Sequence, residues 1–168
     1  MNKYEAILER SKAKHKFIMK QMQFLNRKNK SGFEAAIHKY HDEVFSQIDC
    51  KECGLCCKNI SPIFRKSDIK HICAYVGTPE KPFKEKYLMQ DPDGVGFMLK
   101  NEPCPFQNED NTCSVYEVRT LSCKNFPHTD EKNITRKLGG LALDSLFCPA
   151  AFLIIEKILD NYGSRPLK

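Results

Sequence analysis

The feature that most constrains this chain is the run Cys50–Cys57. It reads C-K-E-C-G-L-C-C and carries four thiols, Cys50, Cys53, Cys56 and Cys57, in eight residues. Two cysteines separated by two residues can clamp one ion, because the intervening turn aims both sulfurs inward. Gly54 suits a tight loop whose backbone amides turn towards the sulfurs and partly offset thiolate charge. Cys56 and Cys57 are adjacent, and neighbouring side chains point in different directions. Either the pair feeds two metals, or one of the two is not a ligand.

Five more cysteines follow: Cys73, Cys104, Cys113, Cys123 and Cys148. The segment Met1–Lys30 is strongly charged and has no apolar core of a signal peptide. The longest apolar run, Ala150–Ile155, falls far short of the roughly 20 residues that span a bilayer. These two readings give the expectation of a cytoplasmic chain without a membrane span. Thiols in that compartment stay reduced, so clustered cysteine at short spacing points to a metal framework. Eight plausible ligand cysteines would fill two four-sulfur sites, and the odd total of nine leaves at least one over. Cys73, mid-helix beside Ile72 and Ala74, reads as a small buried hydrophobe.

The spacing leaves the metal open. Zinc favours two C-x-x-C pairs, and only the first is complete. A C-x-x-C-x-x-C run with a remote Cys-Pro is the spacing of bacterial ferredoxin clusters. Cys50, Cys53 and Cys56 supply the run, while Cys104-Pro105 and Cys148-Pro149 each offer a Cys-Pro. The spacer before that fourth cysteine does not match. Zinc and iron, including a [4Fe-4S] cluster, in one or two sites, both fit.

The net charge of +6 is unevenly spread. Residues 1–30 hold nine Lys/Arg and two acids, or +7; the other 138 residues carry 18 basic and 19 acidic groups, or −1. A basic segment of this kind is usually a solvated helix face, and it can also meet nucleic acid, a membrane surface or an acidic partner. No specific DNA- or RNA-reading motif accompanies it.

Hydrophobic periodicity predicts helices around the cysteines. Residues 1–30 read as a helical arm with a weak stripe of Ile7, Ile18, Met22 and Leu25, broken between Asn26 and Gly32. Ser31 with Glu34 reads as a capping box, and Phe33, Ile37, Tyr40, Val44 and Ile48 form one apolar face that leads into Cys50. Ser67 is the expected cap of a helix over 68–76, stopped by Gly77. Pro79 opens another over 79–89. Asp91–Gly94 is a turn, and Val95–Lys100 a short strand. Asn108–Thr112 reads as a polar turn in a small hairpin or knuckle. A short helix is expected over 115–121, a charged loop over 130–136, flexibility at Gly139–Gly140, and a buried helix over 149–161. His38 and His41, one turn apart, read as surface helix residues. His128 is the one histidine kept as a candidate ligand or donor behind the ligands. Tyr116 and Arg119 sit between two candidate ligands, where Arg119 offsets negative charge or forms an ordinary ion pair.

The ordered set of motifs resembles the CxxCxxCC (YkgJ-like) cysteine-cluster family of zinc- or iron-chelating domains. The carriers are Cys50-x-x-Cys53-x-x-Cys56-Cys57, Ser67-Asp-Ile at a helix start, Cys104-Pro-Phe106, Cys113-Ser-Val-Tyr116-Glu-Val-Arg119, Cys123-Lys-Asn-Phe126-Pro127 and Cys148-Pro149. The resemblance covers about residues 49–149. It implies a ligand set of Cys50, Cys53, Cys56, Cys57, Cys104, Cys113, Cys123 and Cys148, with Cys73 left over. Two departures stand out: the family usually has Arg-Pro at Arg119-Thr120, and Cys-Arg at Cys123-Lys124. Some relatives, the flagellin lysine methylases, look like enzymes that carry this cluster in a larger chain.

The expected fold is mainly α with little β, a small metal-stabilised cysteine-cluster domain over residues 31–162, preceded by the helical arm over 1–30 and followed by a tail over 163–168. The leading functional expectation is zinc or iron chelation through the eight-cysteine framework, with the metal structural or stored. An iron–sulfur redox protein or enzyme, and an adaptor acting through the basic arm, are the alternatives.

Overall fold

The computed structural model describes residues 2–28 and 31–164. Residues 29 and 30 of the expected break, and 165–168 of the expected tail, lie outside the described residues. In chain order the elements are α1 (Lys3–Asn26), α2 (Phe33–Phe45), α3 (Cys50–Cys53), α4 (Leu55–Asn59), α5 (Lys66–Val76), α6 (Glu80–Tyr87), β1 (Leu88–Gln90), β2 (Phe97–Leu99), α7 (Leu121–Asn125), α8 (Leu138–Asp144) and α9 (Pro149–Tyr162). Single 3-10 turns lie at Tyr116–Val118 and Ile134–Arg136. Among the described residues the only sheet is the antiparallel pair β1–β2, with Leu88 opposite Leu99 and Gln90 opposite Phe97. The fold is therefore mainly α, as the periodicity predicts. No helix among the described residues is long and apolar enough to cross a membrane.

The chain forms two compact units. One joins the chain up to Asp49 with the chain from Pro127 onward; the other is Cys50–Phe126.

In the first unit, Asn2 caps α1: its side-chain oxygen accepts from Tyr4 and Glu5 N–H at 3.0 and 2.9 Å. The Glu5 carboxylate accepts from Asn2 N–H in return, completing a capping box. The helix buries Leu8, Ser11, Ile18, Met22 and Leu25 and packs on α8 and α9. Lys12, Lys16, Lys20 and Arg27 stay exposed. Helix α2 packs on α9 through Phe33, Ile37 and Val44. Its expected Ser31–Glu34 capping box is not formed. Gly32, left-handed at φ 75°, is itself the cap residue and has no side chain to contribute, which leaves Ser31 one position too early. Gly139 and Gly140, expected to be flexible, lie inside α8. Burial of Leu138, Leu141 and Ala142 on the same turn outweighs the helix penalty of two glycines. Helix α9 is apolar nearly all round, with Ala151, Phe152, Ile154, Ile155 and Ile158 fully buried.

In the second unit, Phe64, Ile69, Ile72, Phe83, Leu88, Leu99, Phe106 and Val115 form one core. Phe83 and Phe106 stack with ring centroids 5.9 Å apart. Helix α5 starts earlier than Ser67 predicts: Arg65 is the cap residue, and Asp68 accepts its N–H at 2.9 Å. Gly77 ends it in the left-handed region. Pro79 caps α6 rather than opening it, and α6 stops at Tyr87 because Leu88–Gln90 pair as a strand. The helix expected over 115–121 is a 3-10 turn, and α7 begins only after Thr120.

Candidate metal centre

The Cys50–Cys57 run is two short helical turns, α3 and α4, joined at Gly54 with φ 57°. The left-handed residue lets the chain reverse sharply between Cys53 and Cys56. The second cysteine segment, Cys104–Cys113, is the expected knuckle. Gln107 and Cys113 pair across it, and Asn108 N–H donates to Thr112 O at 2.8 Å.

Backbone amides meet sulfur by a repeated rule. Cys53, Cys104 and Cys113 are bonded by the N–H groups of Leu55, Phe106 and Val115, each two residues on. Cys123 is served instead by the Thr120 hydroxyl, which bonds its sulfur and accepts its backbone N–H at 3.1 Å. These donors favour the thiolate against burial.

Burial still dominates. It pushes the Cys104 thiol up to about 12 and the Cys123 thiol up to about 11, and raises Cys53 and Cys113. Cys57 moves the other way, to about 7, because the neighbouring Cys56 side chain hydrogen-bonds to it. Adjacency therefore makes a bonded thiol pair on the α4 turn. The charge on Cys57 in turn disfavours ionisation of Cys53, Cys104, Cys113 and Cys123. Four sulfurs from three separate segments thus lie within electrostatic reach of a fifth.

Cations ring this field. The Arg119 guanidinium lies 3.7 Å from the centre of the Tyr116 ring and donates to Tyr116 O at 2.7 Å. Its charge favours the thiolates of Cys113 and Cys123. Lys51 lies 4.6 Å from the same ring, and Lys58 favours the Cys53 thiolate.

Cys50 is exposed and Cys56 half-buried. Cys73 is buried in the apolar core beside Ile72 and Phe83. Cys148 belongs to the other unit, where it caps α9 and its sulfur accepts the Ala151 N–H at 3.4 Å. His38, His41 and His128 also lie in that unit, whereas His71 is on α5. His38 bonds to Glu131 O at 3.1 Å, His41 to the Thr129 hydroxyl at 2.7 Å, and His128 to the Glu131 carboxylate at 2.8 Å. Among the described residues no three Cys, His, Asp or Glu side chains stand close enough to hold one ion as they are placed. The fit of a metal rests on donor chemistry: grouped thiols, amide and hydroxyl donors on their sulfurs, and Arg119 and Lys58 offsetting negative charge. That set suits a thiophilic cation such as zinc or iron.

Residues 49–139 match the model of the CxxCxxCC family, described as "Putative zinc- or iron-chelating domain". The chain belongs to the CxxCxxCC family. No curated protein and no solved structure matches it. The CxxCxxCC segment contains the whole Cys50–Phe126 unit and seven of the eight cysteines expected as ligands. Cys148, the eighth, lies beyond it. Spacing alone gives Thr120, Gln107 and Asn111 no role at the centre. A Thr three residues before a candidate ligand cysteine is the one signal that could have been read, as a helix cap.

Proposed function

We propose that the Cys50–Phe126 unit chelates zinc or iron through Cys50, Cys53, Cys56, Cys57, Cys104, Cys113 and Cys123, and that the metal keeps this unit folded. The observation that carries the reading is the family match over residues 49–139, which contains all seven of these cysteines. Thiolates gathered in one place repel one another. A bound cation supplies the opposite charge and cross-links the segments that carry them. The chain's own part is to deliver the sulfurs from three segments and to aim N–H and O–H donors at them. Arg119 and Lys58 offset the remaining negative charge.

Protonation follows directly. Cys104 and Cys123, held up near 12 and 11, carry protons at neutral pH and must release them to ligate. Metal affinity therefore rises with pH and falls as the solution is acidified.

The test is metal analysis with acid-labile sulfide on anaerobically purified protein. Zinc without sulfide means a thiolate site. Iron with equimolar sulfide and broad visible absorption means an iron–sulfur cluster. Cys53→Ser with Cys104→Ser should lose the metal, whereas wild-type stoichiometry in that variant would overturn the proposal. Cys148→Ser decides whether the eighth cysteine takes part.

A further inference from the structure

Two carboxamides and a backbone amide join the two main cysteine segments. Gln107 Nε2 donates to Gly54 O at 2.8 Å, and Asn111 Nδ2 donates to Glu52 O at 3.1 Å. Between them Cys104 N–H donates to Cys57 O at 2.8 Å. Glu52 O stands in the last turn of α3, where a helix leaves its carbonyls without partners, and Gly54 O belongs to the cap residue of α4 and takes Gln107 as a further donor. The knuckle supplies those partners.

The fit between the segments is close on the other side as well. A Cβ at Gly54 would stand 2.4 Å from Gln107 Nε2 and 2.7 Å from Asn111 Cβ. Asn111 adopts φ 67°, a left-handed conformation that asparagine tolerates better than most residues. Its N–H closes the turn on Asn108 O at 3.0 Å. Gly54 is thus both a left-handed hinge and the floor on which Asn111 rests.

We propose that Gln107 and Asn111 are positioning residues of the metal centre. They clamp the Cys104–Cys113 knuckle on the Cys50–Cys57 run and fix the spacing of the sulfurs on each. Neither is a ligand. The proposal rests on the chelation reading above for its effect on metal, and on the hydrogen bonds alone for its effect on the backbone.

The test uses the full chain, purified with its metal, and three variants: Gln107→Leu, Asn111→Gly and the two together. Asn111→Gly keeps the left-handed turn and removes only the carboxamide. Transfer of metal to a chromogenic chelator should be about 10–100-fold faster in the double variant, the usual effect of losing groups that orient ligands. Hydrogen exchange at residues 50–59 should quicken in the same variants while exchange in α1 and α9 stays unchanged. Gly54→Ala should release metal as fast as the double variant, and combining it with Asn111→Gly should add little, since both disturb one contact. Wild-type metal release in the double variant would overturn the positioning role. Wild-type protein without zinc or iron would defeat the chelation reading instead, and unchanged exchange at 50–59 would then defeat the clamp separately.

Discussion

Thr120 offers the most direct test of how the centre is built. Its side chain is buried, and its one hydroxyl serves two purposes. It accepts the Cys123 N–H at 3.1 Å as the cap of α7, and it bonds the Cys123 sulfur. Thr120→Val keeps the shape and deletes both bonds. Loss of the helix cap, which orphans the Cys123 N–H, costs about 1 kcal/mol, and loss of the bond to sulfur brings the total to about 1–2 kcal/mol. For a chain of this length that lowers Tm by about 3–6 °C. Proline at this place should behave differently. Thr120 has φ −57° and ψ 155°, and Arg119 before it has φ −55° and ψ 154°, both compatible with an Arg-Pro step. Thr120→Pro should recover about 0.4–1 kcal/mol by restricting the unfolded chain, without restoring the donor on sulfur. Thermal unfolding by circular dichroism under reducing conditions should rank wild type above proline and proline above valine. A valine variant as stable as wild type, or a proline variant less stable than valine, would refute this account of Thr120.

Other outcomes follow from the first unit. Burial raises the Asp144 carboxyl to about 6, with His128 only partly opposing. Its folded value lies above its unfolded value, so its contribution is full in acid and lost as pH rises through about 6. Asp144→Asn should therefore stabilise the protein at pH 7.5 by about 1 kcal/mol, discounted for partial exposure. It should do little at pH 4; an equal urea-denaturation gain at both values would contradict the assignment. Ile18→Ala should cost about 2–5 kcal/mol by cavity formation, since Ile18 is fully buried on α1; a change under about 1 kcal/mol would mean that α1 is not part of the core. A Cβ on Gly140 would meet nothing within 4 Å, so Gly140→Ala should raise stability by up to about 1 kcal/mol in the same assay.

Much of the fold was legible wherever hydrophobic period and punctuation agreed. The apolar face of α2, the Gly77 stop of α5, the knuckle at Asn108–Thr112 and the Pro149 start of α9 all follow from local chemistry. Boundaries moved where a partner distant in sequence decided them. Leu88–Gln90 left the end of α6 to pair with Phe97–Leu99, and two glycines became helical under the packing of Leu138 and Ala142. The cysteine list itself was plain in the sequence. What spacing could not give was the field linking Cys57 to Cys104, Cys113 and Cys123, because it depends on how separate segments fold together. His38 and His41 read as surface residues because their partners, Glu131 and Thr129, lie far along the chain.

The placement of Cys50–Phe126 between two parts of one helical unit has a kinetic meaning. For α2 to meet the returning chain, as His38 and His41 do at Glu131 and Thr129, the whole intervening stretch must be spanned. While that stretch is unfolded it is a long floppy loop. Once it is ordered it acts as a short rigid tether. By the logarithmic dependence on loop length the difference is roughly 2 kcal/mol in the cost of closure. Whatever stabilises the inserted unit thereby speeds assembly of the helices on either side of it in the chain, and a failure to order it would first be felt as slow closure of α1, α2, α8 and α9.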